Sequence, residues 1–484
     1  MTRIAIIGGG AAGSAVVGEF LRRADRAGIE LVWLAGRGVP GRGVAYATQN
    51  DQHLLNVRAA NMGLFADDAG ALMRFLAERQ STARPSDFIP RALFGEYVES
   101  TLLELLSAAR NISVEIRSAE AVGLDERASG GYVVRSDEGE ELRVDGAVLA
   151  IGALPPVPMA AVDARSLAGG CYLPDPWQRP QLERAPERMV VLGSGLTAID
   201  VILSAAEAWP SARIVTLSRH GRLPGVHRAE PGAPYPHQGE LMEEMRARPD
   251  VRRWMRLVRE AVQLDRADWR AVVDGLRPAT VELWRSLDLR QRRRFLRHVR
   301  WVWEVARHRM PCQTSLAIRQ LMKQGRLTVL AGRVRRVEGL SPLTVTYRQR
   351  STGTTRVVTT DIAIQATGLQ TAVQRTSHLL LRQLFQSGLV KADPLGLGVE
   401  ADVDGRPLRG DGTAAPGLRV IGTLLRGSLW ECTAVPEIRT IAANLVRELL
   451  NELRPGSEPG HLARRATYAA DAKDRYAAFP PDPG

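Results

Sequence analysis

The 484-residue chain has three cysteines, Cys171, Cys312 and Cys432, with no C-x-x-C spacing among them. That pattern excludes a local dithiol redox centre and gives no zinc-type ligand spacing, so no metal site is expected. Lysine occurs only at Lys323, Lys391 and Lys473, and the formal net charge of +12 is therefore carried almost wholly by arginine. The arginines are spread through segments of helical character and form no single basic block, which argues against a nucleic-acid partner. No stretch reaches the ~20 apolar residues of a membrane span. The N-terminus lacks the basic, apolar and cleavage regions of a signal peptide. A cytoplasmic protein is expected, and its length exceeds one hydrophobic core, so two or three domains are expected.

The chain has abundant glycine, and its placement is informative. Ile4 to Ile7 is an apolar run suited to a buried parallel strand, apolar on both faces. It breaks at Gly8-Gly9-Gly10-Ala11-Ala12-Gly13, after which Ala11 to Leu21 has helical character. In this strand–turn–helix setting Gly8 makes the tight turn, Gly10 lets the backbone approach a pyrophosphate, and Gly13 lets helix and strand pack closely. The helix N-terminus offers free N–H groups to the phosphates. The next strand, Ile29 to Leu34, continues as Ala35-Gly36-Arg37 and lacks the acid that a ribose 2′-OH usually meets there.

The same logic returns at Met189 to Asp200. A strand meets Gly193-Ser194-Gly195-Leu196-Thr197-Ala198, and a helix follows. Its second strand, Arg213 to Leu217, closes on Ser218-Arg219-His220-Gly221-Arg222. A guanidinium at this point suits a 2′-phosphate, which a carboxylate would repel, so NADP is expected, with Ser218 and Arg219 on the phosphate. Two such units predict two dinucleotides, one reducing the other.

Between and beyond these units, Leu72 to Glu78 and Tyr97 to Ala109 read as amphipathic helices. Val114–Ile116, Tyr132–Arg135 and Glu141–Val144 read as the strands of a meander. Gly239 to about Arg309 reads as helical, its tryptophans Trp254, Trp269, Trp284, Trp301 and Trp303 as core. The turns Ala150-Ile151-Gly152 and Ala366-Thr367-Gly368 follow buried strands, as does Gly422 after Leu418 to Ile421. Beyond Arg454 a loose tail is expected, with a short helix near Ala463 to Ala470.

At this point the chain resembles the two-dinucleotide-domain flavoproteins. Within them it is similar to a bacterial family of FAD/NAD(P)-binding proteins through Gly41-Arg42-Gly43-Val44-Ala45-Tyr46, Leu54-Leu55-Asn56-Val57, Asp175-Pro176-Trp177, Arg307-His308-Arg309 and the stretch Arg426 to Arg439. Some relatives are similar to flavin-dependent N-hydroxylating monooxygenases and bacterial FAD-dependent urate hydroxylase. The resemblance implies an α/β fold of two Rossmann-like, three-layer dinucleotide-binding domains with a helical insertion. Residues 1–158 and 369–455 would bind FAD, 159–225 and 311–368 NADPH, 226–310 would form an insertion or lid, and 456–484 a flexible tail. It implies FAD contacts at Gly8, Gly10, Ala11, Ala12, Gly13, Arg42, Asn56, Gly422, Trp430, Thr433 and Ala434. NADP contacts would be Gly193, Ser194, Gly195, Leu196, Thr197, Ser218, Arg219, Thr367 and Gly368.

The flavin-containing monooxygenase fingerprint F-x-G-x-x-x-H is absent, and Cys171 to Trp177 stands in that region. The expected reaction is NADPH-dependent hydroxylation of a small polar, nitrogen-containing molecule by O₂ through a flavin C4a-hydroperoxide. Arg300, Arg307, His308 and Arg309 are candidates for holding an anionic substrate. A reductase passing electrons to a quinone or protein acceptor, and a non-enzymatic NADP-binding redox sensor, are the alternatives.

Overall fold

A computed structural model describes residues 1–23, 28–178, 180, 182–263 and 265–453. The tail expected after Arg454, with its short helix, lies outside the described residues. Fifteen strands form three sheets. The first sheet takes β1 (Thr2–Ile7), β2 (Ile29–Leu34), β3 (Ile112–Arg117), β7 (Gly146–Leu149) and β15 (Leu418–Val420), all parallel, in the order β15-β7-β1-β2-β3. β4 (Ala121–Glu126), β5 (Tyr132–Ser136) and β6 (Glu141–Val144) form a separate antiparallel sheet.

Strand alternation makes the layers. Ile4, Ile6, Leu31 and Trp33 pack toward helices Ala11–Arg22, Arg91–Ala108 and Val435–Glu452. Their sequence neighbours Ala5, Ile7, Val32 and Leu34 pack toward the β4–β6 sheet. Both faces of β1 and β2 are thus apolar because both are covered, as a buried parallel sheet requires. One expectation is corrected here. Val114–Ile116 belongs to β3 of the parallel sheet, and the meander begins with Ala121–Glu126, a segment whose alanine and glycine give little strand signal. The helix expected from Tyr97 begins six residues earlier, at Arg91.

The second sheet has the order β13-β12-β11-β10-β9-β14-β8, from β8 (Tyr172–Leu173), β9 (Arg188–Leu192), β10 (Arg213–Ser218), β11 (Leu327–Glu338), β12 (Leu343–Gln349), β13 (Thr355–Thr360) and β14 (Ile362–Gln365). The β8–β11 and β14 pairings are parallel, and β11–β13 continue as an antiparallel meander. Met189 and Val191 pack toward the helices, and Val190 and Leu192 toward the other face, so the second unit repeats the three-layer scheme.

From Gln238 to Arg307 the chain is helical. This insertion starts and ends at one place. The Met310 N–H donates to the Gly225 carbonyl (2.8 Å) and the His227 N–H to the Met310 carbonyl (3.0 Å). It packs against the return segment of the first domain, where Trp284 stacks on Trp430 at 4.9 Å between centroids, Trp303 Nε1 donates to Glu431 (3.1 Å), and Arg277 donates to both oxygens of Glu437 (2.8 and 3.1 Å). Among the described residues no helix is long and apolar enough to cross a membrane.

Candidate functional site

The two glycine turns are built on the same plan. Gly8 has φ +122° and Gly193 φ +128°, values that L side chains rarely adopt. A Cβ on Gly8 would collide with the Ala150 carbonyl, and one on Gly193 with the Ala366 carbonyl. These carbonyls follow β7 and β14, so each turn is wedged against the neighbouring strand's end. Gly9 and Gly13 are equally constrained, by the carbonyls of Ala35 and Gly8. Gly9 was not singled out from sequence, since only the packed sheet brings Ala35 beside it.

Gly10 and Gly195 differ. Both have extended backbones, φ −82° and −80°, that any residue adopts. The nearest atom to a Cβ on Gly10 is the Gly43 Cα at 3.8 Å, and a Cβ on Gly195 meets nothing within 4 Å. The protein's own packing therefore does not demand glycine at either position. Each opens a helix with no side-chain cap and no acid in its first turn. Open space beside free helix N–H groups is what a pyrophosphate fits. The described residues at both turns thus suit a dinucleotide.

Around the first turn, the Gly41 N–H donates to the Gly9 carbonyl (2.8 Å), which lays the loop from Gly41 to Tyr46 over it. Arg42 stands there with its guanidinium on Glu99 Oε2 (3.1 and 2.9 Å). The Asn56 carbonyl lies 3.1 Å from His227 Nε2. Burial pushes the His227 pKa down to about 3, so the ring is neutral, and Nε2–H donates. A Cβ placed on Gly422, at φ +81°, would lie 3.7 Å from the Ala12 Cβ, and the Thr423 hydroxyl donates to the Gly152 carbonyl. The return segment thereby closes on the first turn, with Ala11, Ala12 and Gly13 in the helix beneath it. Ala434 is the residue before helix Val435–Glu452 and, like Gly10, caps it with no side chain.

The second turn opens into a cleft of about 730 Å³. Gly193, Ser194, Gly195, Leu196 and Thr197 line one end, with Ser218 and Arg219. Ser218 Oγ accepts from Ser194 Oγ (2.8 Å) and from the Gly221 N–H (3.0 Å), so its hydroxyl ties the turn together. Thr367 and Gly368 line the wall, and Trp430 and Thr433 arrive from the first domain. Arg222 and Arg333 join this lining, and neither they nor Arg219 has a carboxylate partner among the described residues. Arg333 lies on β11, two strands away from β9, which is why sequence spacing did not reveal it.

The insertion supplies the remaining wall through Arg300, Trp301, Glu304 and His308. Three expectations are corrected. Arg307 and Arg309 are buried away from the cleft: Arg307 lies 3.8 Å from Glu431 and 3.9 Å from Glu437, and Arg309 is paired with Asp274. Arg307 ties the insertion to the return segment, Arg309 pairs within the insertion, and of the triplet only His308 lines the cleft. Trp301 is cleft lining instead of core, stacked on His220 at 4.2 Å and 11°. Burial holds His308 below its ordinary pKa despite Glu431 nearby. Burial pushes the Glu431 pKa up, but the Arg307 charge, with the Trp303 hydrogen bond and Arg277, outweighs it and holds the carboxyl below its ordinary value.

Glu304, missed from sequence, accepts from Arg300 Nε (2.8 Å) and Arg426 Nη2 (3.1 Å). The Arg300–Glu304 spacing of four was its one sequence signal. Trp430 has φ +63° and ψ −62°, with the Glu431 N–H donating to the Leu429 carbonyl (2.8 Å). This is a γ-turn, a strained conformation for a bulky residue. Stacking on Trp284 and an edge contact from Phe295 at 5.1 Å hold it.

Residues 5–154 match a sequence-family model described as FAD-NAD(P)-binding. No curated protein sequence matches the chain. Among solved structures, ornithine hydroxylase from Pseudomonas aeruginosa is similar, at 15% identity and TM-score 0.62, over 94% of this chain and 99% of that one. The fold is that of the two-domain flavoproteins. L-lysine 6-monooxygenase from Pseudomonas syringae is similar at 17% identity and TM-score 0.60, over 93% of this chain and 99% of that one. The FAD-bound cadaverine monooxygenase of desferrioxamine biosynthesis from Erwinia amylovora gives 12% and 0.61, over 94% and 95%.

Proposed function

We propose that the protein is an NADPH-dependent FAD monooxygenase that hydroxylates a small polar, nitrogen-containing substrate. Residues 1–158 and 369–455 hold FAD, residues 159–225 and 311–368 hold NADPH, and residues 226–310 cover the site. One observation carries the reading: Trp430 and Thr433, from the return segment that closes on the first glycine turn, line the same cleft as the second glycine turn. A nicotinamide held by Gly193 to Thr197 would therefore meet what the first domain holds. The similar solved structures act on ornithine, lysine and cadaverine by their names, which supports an amine-bearing substrate.

Bound FAD would accept hydride and activate O₂; the chain supplies the rest. Gly10 and Gly195 leave space for the pyrophosphates, and the uncapped helix N-termini bind them. Arg219, Arg222 and Arg333 hold the 2′-phosphate as charge-assisted donors. The insertion, fixed through Trp284, Trp303 and Arg277, excludes water from the reacting centre. His308 is kept neutral at pH 7 and can take or give a proton at the cleft wall.

The test is stoichiometric. NADPH oxidation is followed together with O₂ uptake and product mass across small amines and amino acids. Tight coupling to a product one oxygen heavier supports the reading. NADPH oxidation that stalls without an added quinone or protein acceptor would assign the reductase instead.

A further inference from the structure

A second cavity of about 300 Å³ adjoins the cleft, against 730 Å³ for the cleft itself. The two share Arg219, His220, Arg300, Trp301, Glu304 and the turn at 367–369. Arg297, Gln370 and Thr371 line the second cavity and not the first. We infer that this second cavity is a binding site for a small polyanion, a di- or tricarboxylate or a phosphate ester, separate from the dinucleotide.

The lining is rich in donors with nothing to donate to. Arg219 and Arg297 have no carboxylate partner among the described residues. Among the described residues Arg300 bonds Glu304 through Nε alone, and its terminal amino groups have no acceptor. Gln370 spends its side-chain oxygen on the Ala372 N–H (3.0 Å), which leaves its amide NH₂ to donate, and the Thr371 hydroxyl has no partner among the described residues. Among the described residues Glu304 is the one carboxylate in the wall, and Arg426 shares it from the neighbouring cleft. Arg297 and Arg300, which the 2′-phosphate does not use, stand against this one shared carboxylate, and Arg219 adds a third guanidinium at the border with the cleft. The His220 ring feels this field: burial, then Arg350 and Arg219, hold its pKa below the ordinary value.

Size and position separate this site from the dinucleotide's. A volume near 300 Å³ is at the lower end for small-molecule pockets, and none of Gly193 to Thr197 lines the cavity. Planar, forked guanidinium donors select carboxylate and phosphate oxygens. Gln370 and Thr371 add neutral donors that a chloride would not need. An anion here would neutralise the face that the insertion turns toward the second domain, and would so couple occupancy to the seating of Trp301 on His220.

Isothermal titration of the full-length, flavin-loaded protein with citrate and with inorganic phosphate, each with and without saturating NADP⁺, tests this. Citrate is expected to bind one-to-one in both conditions. Arg297→Gln and Thr371→Val are each expected to weaken it, Arg297→Gln by about tenfold or more, with flavin content and the KM for NADPH unchanged. No citrate or phosphate binding at millimolar concentration would overturn the site, as would citrate binding unaffected by both variants. Loss of citrate binding under saturating NADP⁺, or a raised NADPH KM in Arg297→Gln, would give the cavity to the dinucleotide and overturn the proposal. Citrate binding by a protein that fails to oxidise NADPH would overturn the proposed reaction and leave this site standing.

Discussion

Arg91 Nη1 lies 2.8 Å from Asp200 Oδ2, joining helix Arg91–Ala108 to helix Leu196–Ala208, which follows the second glycine turn, with both side chains largely buried. His53 completes the junction, its Nε2 2.9 Å from Ser204 Oγ and 3.1 Å from the Asp200 carbonyl. Burial raises the Asp200 pKa above its ordinary value, and Arg91 opposes that rise. Removing one partner of a buried pair strands the other charge, at a cost of about 3–5 kcal/mol.

Arg91→Ala is therefore expected to lower the unfolding free energy by about that amount at pH 8, while Arg91→Met/Asp200→Leu recovers most of it. The sign with pH is fixed. An acid whose folded pKa is raised contributes stability at low pH and loses it as pH rises through that pKa. The deficit of Arg91→Ala should shrink from pH 8 toward pH 4, read by urea unfolding at each pH. A deficit independent of pH would mean that Asp200 is not the stranded group.

The glycine turns separate backbone need from ligand need. Gly10→Ala places its methyl in open space and in a backbone conformation alanine adopts, so the apoprotein should keep its melting temperature. Its flavin-to-protein absorbance ratio should collapse, and Gly10→Val should bleach the preparation. Gly8→Ala collides with the Ala150 carbonyl at positive φ and should not yield folded protein. Full flavin occupancy in Gly10→Val would remove the pyrophosphate from this turn.

The proposed function gives the choice between nicotinamides to Arg219 and Arg222. The KM for NADPH is expected to rise about tenfold or more in Arg219→Ala, and further in Arg219→Ala/Arg222→Ala, with NADH little changed. Stopped-flow flavin reduction with both reductants measures this. A wild type without preference for NADPH, or a preference surviving the double substitution, would move the 2′-phosphate elsewhere.

His308 sets an acid limb. Its pKa is held below the ordinary imidazole value by burial, so the neutral ring persists through neutral pH and charges only in the acid range. Turnover should stay level from pH 8 down through the ordinary imidazole range and fall only at more acidic pH, and the fall should vanish in His308→Gln, at a lower plateau. An unchanged profile in that variant would leave His308 as cleft lining alone.

What the sequence determined by itself is what depends on local chain geometry. Gly8, Gly10 and Gly13 follow an apolar run and open a helix, and Gly193 and Gly195 do the same, so turn, strand and helix were legible from neighbours in the chain. Arg219 was legible for the same reason, being fixed by the strand that ends beside it. Arg307, His308 and Arg309 show where this stops. Three consecutive residues at a helix end diverge in direction, and only the packing of Glu431, Glu437 and Asp274 around them decided that two are buried ties and one faces the cleft. Val114–Ile116 was read as a meander strand and Ala121–Glu126 was missed, because a half-exposed edge strand of a parallel sheet alternates like a meander strand and partner choice is not a local property. Glu304, Arg333 and Gly9 acquire their roles from residues distant in sequence, through contacts that exist only once the sheets and the insertion are packed together.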